Sequence, residues 1–469
     1  MSNQLQQFIN QRWEQSIIPT LMQYLLIPNK SPAFDSAWEA NGYMEQAVSL
    51  IADWCRQQTI RGLQLEVVRL PGRTPLLFIE IPGQNDATVL LYGHLDKQPE
   101  MTGWDPDLSP WQGVLKGDKL YGRGGADDGY SAFASLCAIE ALQQQGIPHS
   151  RCLILIEACE ESGSYDLPFY MEHLKDRIKT PELIICLDSG CGNYDQLWCT
   201  TSLRGVINAE LNVEVLTEGV HSGYGTGIIP CSFRILRQLL SRIEDENTGA
   251  ILLPELSVDI PAYRVSQAQL AADVLGADIV NAFPRISPQL EAVSHDPQQL
   301  ILNRTWRPAL CVTGMGGIPS LENAGNVLRA STTAKLSLRL APTCDPAHAG
   351  TVLQKALEQD PPYGARVTLT VEQAAQGWDA PATAPWLATA CEKASMNVFG
   401  KPPVSMGEGG SIPFMGMLGQ QFPNAQFVIT GVLGPHSNAH GPNEFLHIPM
   451  GKKLTCCVAQ IIGEHFQRS

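Results

Sequence analysis

The sequence predicts an α/β protein: a mostly parallel sheet with helices on both faces, interrupted by an inserted α+β unit. Two observations support this fold class. Short, continuous apolar runs are typical of strands that are buried on both faces, as in parallel sheets. A later stretch alternates apolar with polar residues, which indicates strands with one solvated face. The four apolar runs span residues 87–93, 152–156, 183–187 and 425–429.

The first half of the chain alternates strand patterns with helix patterns. A helical segment from Gly129 to Gln145 follows the first apolar run and closes at Gly146-Ile147-Pro148, where Gly and Pro act as stop signals. The next apolar run begins directly afterwards. This order of strand, helix and strand predicts parallel strands that are joined by helices.

The pattern changes after Arg204-Gly205, where an inserted unit begins. We expect about four strands and two main helices up to residue 381, and the segment 252–305 carries no pattern that assigns it. The predicted strands span residues 207–215, 310–313, 334–340 and 365–371, and the predicted helices span 233–240 and 346–359.

Length and composition restrict the class of protein. A chain of 469 residues is too long for one ordinary core, so two or three domains are expected. The net charge of −15, from 32 Lys+Arg against 47 Asp+Glu, disfavours nucleic acid and anionic membranes as partners. The start of the sequence shows no secretory signal, and no apolar run reaches the roughly 18 residues of a membrane span. The thirteen cysteines form no C-x-x-C pair, so we expect a soluble protein of the reducing cytoplasm.

Each apolar run leads to a side chain that can bind a metal ion. The first run ends at His94, the second leads to the Glu160-Glu161 pair, and the third stops at Asp188. The fourth leads through a Gly-rich loop to His440. Ligands of open α/β sheets gather at the carboxyl ends of the strands. One such residue means little, but four are hard to explain by packing.

The candidate ligands His94, Asp127, Glu161, Asp188 and His440 mix imidazole with carboxylate, which favours zinc, manganese or cobalt. They exceed what one catalytic zinc needs, whereas two metals about 3.5–4 Å apart, bridged by a carboxylate, would use them all. Asp127 is the best candidate for the bridge because it lies in a tight Gly-rich turn. An ordinary helix N-cap is the alternative role for Asp127.

Two further carboxylates have predicted roles near these ligands. Asp96 is placed to accept the ring N–H of a metal-bound His94, although a turn aspartate before Pro99 is an alternative. On extended backbone, Glu160 and Glu161 would point opposite ways. One could then bind metal while the other acts as general base.

Three places outside the ligand set could contact a substrate. The Gly-rich turn at 407–413 could present backbone N–H groups near Gly410, and the hydroxyl of Ser411, to a carboxylate; a plain loop is an equal alternative. His221 lies in a flexible loop and could donate to an oxyanion. Arg339 could pair with a carboxylate, although strand arginines are usually only surface residues.

The order of motifs resembles the dinuclear-zinc metallopeptidase family of carnosinase, cytosolic non-specific dipeptidase, aminoacylase and succinyl-diaminopimelate desuccinylase. EESGS and EGGSIP resemble the carnosinase-like dipeptidase branch more than the deacylase branches. The resemblance also selects His440 over its rivals His436 and His447, because His440 alone lies in an AH-x-x-NE context. The motifs are GHLD at 93–96, GWDPDLSPW at 103–111, LYGRGGADD at 120–128, EESGS at 160–164, LDSG at 187–190, HSG at 221–223, EGGSIP at 408–413 and NAHGPNE at 438–444.

The resemblance implies a role for each matching residue. One metal would be held by His94, Asp127 and Asp188, and the other by Asp127, Glu161 and His440. Glu160 would be the general base and Asp96 would orient His94. His221 would reach the site of a partner subunit, and Arg339, Asn326 and Ser411 would hold the carboxylate end of the substrate.

These roles imply metal-dependent hydrolysis of an amide bond, by a hydroxide that bridges two divalent metals, zinc first among them. The expected substrates are small peptides with a free carboxylate, above all dipeptides. An N-acyl-amino-acid deacylase or carboxypeptidase is the nearer alternative, and a non-catalytic binding protein the further one. The insert resembles a lid and dimerisation domain, which implies a homodimer. Since His440 lies beyond the insert, the metal-binding catalytic domain should comprise residues 1–203 and 382–469, and the lid residues 204–381.

Overall fold

The computed structural model describes residues 2–468, and the chain divides into two compact units. Unit 1 contains Met1–Thr201, Ala380–Met406 and Met417–Ser469, and unit 2 contains Ser202–Asp379 and Gly407–Gly416. The boundaries expected from the sequence place residues 407–416 with the catalytic domain instead. Within unit 2, this loop is hydrogen-bonded to Arg204. The Nε of Arg204 donates to the backbone carbonyl of Gly409, and its backbone N–H donates to the carbonyl of Gly410, each at a distance of 3.1 Å.

Residues 2–468 form eighteen strands, which are numbered in chain order. They are β1 Gln64–Val68, β2 Leu76–Ile81, β3 Thr88–His94, β4 Val114–Lys116, β5 Lys119–Tyr121, β6 Arg151–Glu157, β7 Leu183–Cys186, β8 Trp198–Leu203, β9 Gly205–Glu214, β10 Val220–His221, β11 Ala309–Gly316, β12 Val327–Leu328, β13 Ser331–Leu340, β14 Arg366–Ala375, β15 Trp378–Asp379, β16 Val404–Glu408, β17 Gln426–Ile429 and β18 Phe445–His447.

The described part of the chain also forms sixteen α-helices, numbered in the same way, and a π-helical turn at Trp13–Ile17 joins the first two. They are α1 Ser2–Arg12, α2 Ile18–Leu25, α3 Trp38–Asn41, α4 Tyr43–Arg56, α5 Ser131–Gln144, α6 Leu167–His173, α7 Lys175–Ile178, α8 Ser222–Gly225, α9 Ser232–Ile243, α10 Ala262–Leu275, α11 Asp278–Asn281, α12 Pro297–Thr305, α13 Pro346–Glu358, α14 Pro385–Phe399, α15 Pro413–Gln421 and α16 Ile448–Gln467.

The large sheet of unit 1 confirms the predicted α/β fold class. Its strands follow the order β1-β2-β6-β3-β7-β17-β8. The four central strands, β6, β3, β7 and β17, are mutually parallel, and they are the four apolar runs of the sequence. The antiparallel strands lie at the flanks. The predicted parallel character therefore belongs to the centre of the sheet, where both faces are covered.

The parallel register brings the carboxyl ends of the central strands to one edge of the sheet. His94, the last residue of β3, is level with Glu157 at the end of β6, and Tyr92 is level with Cys186 at the end of β7. Ile429, the last residue of β17, is also level with Cys186. The loops that follow these strands therefore start side by side, which is the arrangement that a multi-strand ligand site needs.

Unit 2 contains a four-stranded antiparallel sheet in the order β11-β13-β9-β14. The apolar residues of β9 and β13 pack on α9 and α13 in one buried core, while the alternate residues face the other way. The four strands and two helices expected there are all present. Three more helices, α10, α11 and α12, lie in the segment that the sequence left unassigned. The buried face of α10 consists largely of Arg264 and alanines, so its apolar pattern is weak.

Two further observations concern the helices and the cysteines. Among residues 2–468, no helix is both long enough and apolar enough to cross a lipid bilayer. The thirteen cysteines are all free thiols.

Candidate metal centre

His94 is buried at the end of β3, and the residue before it must be glycine. A Cβ on Gly93 would lie 2.1 Å from Oγ of Ser131 and 2.6 Å from Oδ2 of Asp128. The ring Nδ1 of His94 lies 3.1 Å from the backbone carbonyl of Asp96 and 3.4 Å from its Oδ1. With Nδ1 donating in this direction, Nε2 is the atom that remains for a metal.

Asp127 lies in the turn between β5 and α5, which Gly124 enters with a φ of +80°. The backbone angles of Asp127, φ −120° and ψ 87°, are not helical. Its Oδ1 lies 3.5 Å from Nε2 of His94, and its Oδ2 lies 3.0 Å from Nε2 of His440. One carboxylate thus presents one oxygen to each imidazole, which is the geometry of a bridge and not of an N-cap.

The five predicted ligands form two clusters that share Asp127. The first triad is His94, Asp127 and Asp188, and the second triad is Asp127, Glu161 and His440. Within each triad the candidate ligand atoms all lie within 4.8 Å of one another. Nε2 of His94 is 3.8 Å from Oδ2 of Asp188, and Nε2 of His440 is 3.4 Å from Oε2 of Glu161.

The donor atoms fit a pair of divalent cations. Nε2 of His94 and Oε1 of Glu161 are buried and have no hydrogen-bond partner among the described residues. Buried polar atoms are rarely left without a partner, so an orphaned imidazole nitrogen that faces two carboxylates is best explained as a metal ligand. The donor set, two imidazoles and three carboxylates, is the mixture that zinc, manganese and cobalt accept.

The pKa shifts of the buried carboxyl groups and of His94 also indicate a site that favours positive charge. Burial, followed by the charge of Asp188, raises the pKa of Glu160 well above its usual value, and burial followed by Asp127 does the same for Glu161. Burial alone would lower the pKa of His94, but Asp188 and the other carboxylates outweigh it and raise the pKa. The site therefore concentrates acidic groups that favour binding of a cation, whether a proton or a metal.

Glu160 and Glu161 do not lie on extended backbone, so the prediction that they point opposite ways along a strand is wrong. They form a single 3₁₀ turn, Glu160–Ser162, after β6. Asp96 holds this turn, because Oδ1 accepts the N–H of Glu160 at 3.1 Å and Oδ2 accepts that of Glu161 at 3.0 Å. Nε2 of Gln98 donates to Oε2 of Glu161 at 2.6 Å. Asp96 thus contacts the ring of His94 and both glutamates, a broader contact set than the sequence indicated.

The two rival histidines do not belong to either triad. The ring of His447 stacks on Tyr194 with centroids 4.1 Å apart, and its Nδ1 accepts the N–H of Met450 at the start of α16. His436 is likewise outside both triads. His440 has a left-handed backbone with φ +64°, a conformation that is uncommon for histidine and is often found at functional sites.

Three of the predicted substrate-binding residues come together in unit 2. Nη1 of Arg339 lies 3.3 Å from Oγ of Ser411, and Ser411 in turn donates to the backbone carbonyl of Arg204 at 2.5 Å. Gly410 accepts the N–H of Arg204. Burial, then the charges of Arg339 and Arg304, lowers the pKa of Arg204 to about 10. This cluster carries an excess of positive charge, which a carboxylate would offset.

His221 and Asn326 form a separate group in unit 2. His221 pairs with Val327 between β10 and β12, and the carbonyl of Asn326 accepts the N–H of Ser222 at 2.9 Å. The side chain of His221 is exposed, and its Nδ1 accepts the N–H of Gly223. Nε2 is therefore the ring atom that points away from this local contact.

Sequence reasoning missed the residues that support the ligands. Arg123 and Glu444 are buried and paired, although both lie inside the quoted motifs LYGRGGADD and NAHGPNE. The sequence did contain a signal for them, because a charged residue close to candidate metal ligands is itself a candidate for supporting those ligands. Arg204, which holds the loop of Ser411, gave no signal beyond its position before a glycine.

Comparisons with known proteins agree with this geometry. The model of peptidase family M20/M25/M40 matches residues 90–464. The chain is 25% identical to a cysteinylglycine-S-conjugate dipeptidase of Corynebacterium striatum, over 82% of this chain and 83% of the relative. It is 27% identical to the Cys-Gly metallodipeptidase DUG1 of Saccharomyces cerevisiae, over 77% and 76%. The structure of human carnosine dipeptidase 1 superposes with a TM-score of 0.79 at 21% identity, covering 99% and 98% of the two chains, and shows likeness of fold.

Proposed function

Because the chain belongs to peptidase family M20/M25/M40, we propose that it hydrolyses the peptide bond of dipeptides that carry a free carboxylate, with two divalent cations. The observation that carries the proposal is the Asp127 carboxylate, whose two oxygens face different imidazoles. Dipeptide substrates are supported by the names of the relatives from Corynebacterium striatum and Saccharomyces cerevisiae, both of which are dipeptidases.

We propose zinc as the metal, with manganese and cobalt as the alternatives. The first triad would hold one cation and the second triad the other, with Asp127 common to both. Bound cations would supply Lewis acidity, which polarises a carbonyl group and lowers the pKa of water towards neutrality.

The protein's own groups have separate tasks in this proposal. Glu160 takes a proton from the attacking water on a carboxylate oxygen and passes it to the nitrogen of the leaving amine. Asp96 keeps Glu160 in place through the backbone N–H and keeps His94 oriented through Nδ1.

The residues of unit 2 serve the substrate. Arg339 and Ser411 bind the carboxylate end, supported by the excess positive charge around Arg204. Gly410 and Asn326 belong to the same proposed set. His221 donates a ring N–H to the developing oxyanion in the site of a partner subunit, a role that its exposed side chain permits.

A homodimer through unit 2 is part of the proposal. Strand β11 is an edge of the four-stranded sheet, and it exposes Val312 and Met315, with Ile318 just beyond it. Exposed apolar edge strands tend to pair with another chain. Light scattering should give twice the monomer mass, and Val312→Lys should shift the protein towards monomer. A monomeric wild-type protein would contradict the dimer.

The function is tested by metal removal together with a substrate panel. Dialysis against a chelator should abolish hydrolysis, and zinc, manganese or cobalt should restore it. Free dipeptides should be cleaved at least about tenfold faster than C-terminally amidated dipeptides, because loss of one charged hydrogen-bonded partner at a binding site costs about 1.5–3 kcal/mol. N-acetyl and N-succinyl amino acids should also be slower. Faster cleavage of the N-acyl substrates would indicate a deacylase, and chelator-resistant hydrolysis would exclude the metal mechanism.

A further inference from the structure

A fully buried ion pair lies beside the metal centre and belongs to neither triad. Nη1 of Arg123 donates to Oε2 of Glu444 at 2.6 Å, and the two side chains are 1% and 0% exposed. Charged side chains are almost never buried so completely unless all their polar atoms find partners. The remaining partners of this pair therefore indicate its purpose.

The second oxygen of Glu444 is directed at the turn that carries Asp127. Oε1 accepts the backbone N–H of Gly124 at 3.0 Å, and it lies 3.4 Å from the backbone nitrogens of Ala126 and Asp127. One carboxylate oxygen thus gathers three amides of a single turn. The backbone of Asp127 is tied to Glu444 by the same contact.

The remaining donors of Arg123 reach two other loops. Nη2 donates to the carbonyl of Gly441, the residue after His440, at 2.6 Å. Nε donates to the carbonyl of Pro99 at 3.1 Å, in the segment that follows Asp96. The planar guanidinium holds these acceptors in fixed directions, which a lysine ammonium could not do.

We propose that Arg123 and Glu444 form a positioning clamp that sets the second triad, by fixing the loop of Asp127 against the loop of His440. The inference rests on the proposed two-cation function and adds to it the residues that fix the spacing of the ligands. The clamp reaches the turn of Asp127 and the neighbour of His440, and none of its hydrogen bonds goes to Asp188. Its loss should therefore weaken the second triad more than the first.

The test uses the full-length protein and two substitutions of the clamp. Glu444→Gln replaces two acceptor oxygens by one oxygen and one N–H₂ group, so a donor must face either the amides of the Asp127 turn or the guanidinium of Arg123. Arg123→Lys keeps the charge but loses the fork that reaches Glu444, Gly441 and Pro99 together. Cobalt titration followed by visible absorption reports each metal site without any need for activity.

We expect wild-type protein to bind two cobalt ions, and each clamp variant to lose about 10–100-fold in affinity for one of them. The absorption band weakened in the clamp variants should be the one lost in Glu161→Gln, and not the one lost in Asp188→Ala. The other site should lose less affinity, since neither His94 nor Asp188 is hydrogen-bonded to Arg123 or Glu444, and only Asp127 connects that site to the clamp.

The matched control is Asp166→Asn, which disrupts another ion pair of unit 1, in which Asp166 is buried and Arg73 is partly exposed. Oδ1 of Asp166 accepts Nη1 of Arg73 at 2.7 Å, and Oδ2 accepts the N–H of Thr74 at 2.9 Å. This variant should lower the melting temperature of the metal-free protein yet keep both cobalt affinities. A similar loss of cobalt in Asp166→Asn, or equal weakening of both sites in the clamp variants, would show that Arg123 and Glu444 contribute only general stability.

The outcomes separate the clamp from the function on which it rests. Unchanged cobalt affinities in both clamp variants would overturn the clamp and leave the two-cation function intact. A wild-type protein that binds fewer than two cobalt ions would contradict the proposed function, and the clamp with it.

Discussion

Glu160→Gln should lower kcat for dipeptide hydrolysis by about 10²–10⁴-fold, the range that general acid–base catalysis contributes. Glutamine has the shape of glutamate but cannot accept the proton of the attacking water. The backbone of the 3₁₀ turn should not move, because its two N–H groups are held by Asp96 and not by the side chain of Glu160. Initial rates at saturating dipeptide, with bound metal counted in the same sample, measure the effect.

The neighbouring Glu161→Gln is the matched control for this prediction. It makes the same chemical change, carboxylate to amide, at the next residue of the same turn. Because it alters a candidate ligand of the second triad, it should lose bound metal as well as activity. Glu160→Gln should retain two metals per chain. If Glu160→Gln keeps more than about a tenth of wild-type kcat, Glu160 is not the general base.

Asp127→Ala should abolish the binding of both metals, and hydrolysis with them. Its two oxygens face His94 and His440 separately, and among the described residues Asp127 is the one candidate ligand common to both triads. Loss of a residue that merely supports a ligand costs about 10–100-fold in metal affinity, and loss of the shared ligand itself should exceed that at both sites. Equilibrium dialysis with zinc, followed by metal analysis, would give the stoichiometry.

Asp188→Ala provides the comparison for Asp127→Ala. Asp188 belongs to the first triad only, so this variant should keep one metal at nearly wild-type affinity. Retention of one tightly bound metal in Asp127→Ala would mean that the two sites do not share this carboxylate. The proposed bridge by Asp127 would then be wrong.

The centre of the fold could be predicted from the sequence because its signals are local. A strand that is buried on both faces must be apolar along its whole length, so the runs at β3, β6, β7 and β17 were visible without any structure. In α10 the local signal is weak, since Ala268, Ala271 and Ala272 bury little apolar surface and Arg264 is buried through its pair with Asp379. Helices of this kind are determined by their tertiary partners.

The candidate site was predicted in its residue types but not in its backbone. The prediction that Glu160 and Glu161 point opposite ways assumed that the strand continues through them. Instead the chain forms a 3₁₀ turn, in which the carboxylate of Asp96 accepts hydrogen bonds from two successive N–H groups. Asp96 is far from the pair in the sequence, and a contact of this kind leaves no periodic pattern. The assignments of Arg339, Asn326 and His221 rest on the resemblance, and they stay predictions.

By itself, the sequence determined which side chains could bind metal and that they follow buried strands, because hydrophobic runs and ligand chemistry can both be read along the chain. Only the tertiary structure decided that one oxygen of Asp127 faces His94 and the other His440, and that the buried pair Arg123–Glu444 joins their loops. The physical reason is the separation along the chain of the residues that interact. Burial patterns are written in neighbouring residues, whereas hydrogen bonds between loops depend on positions that only the folded sheet brings together.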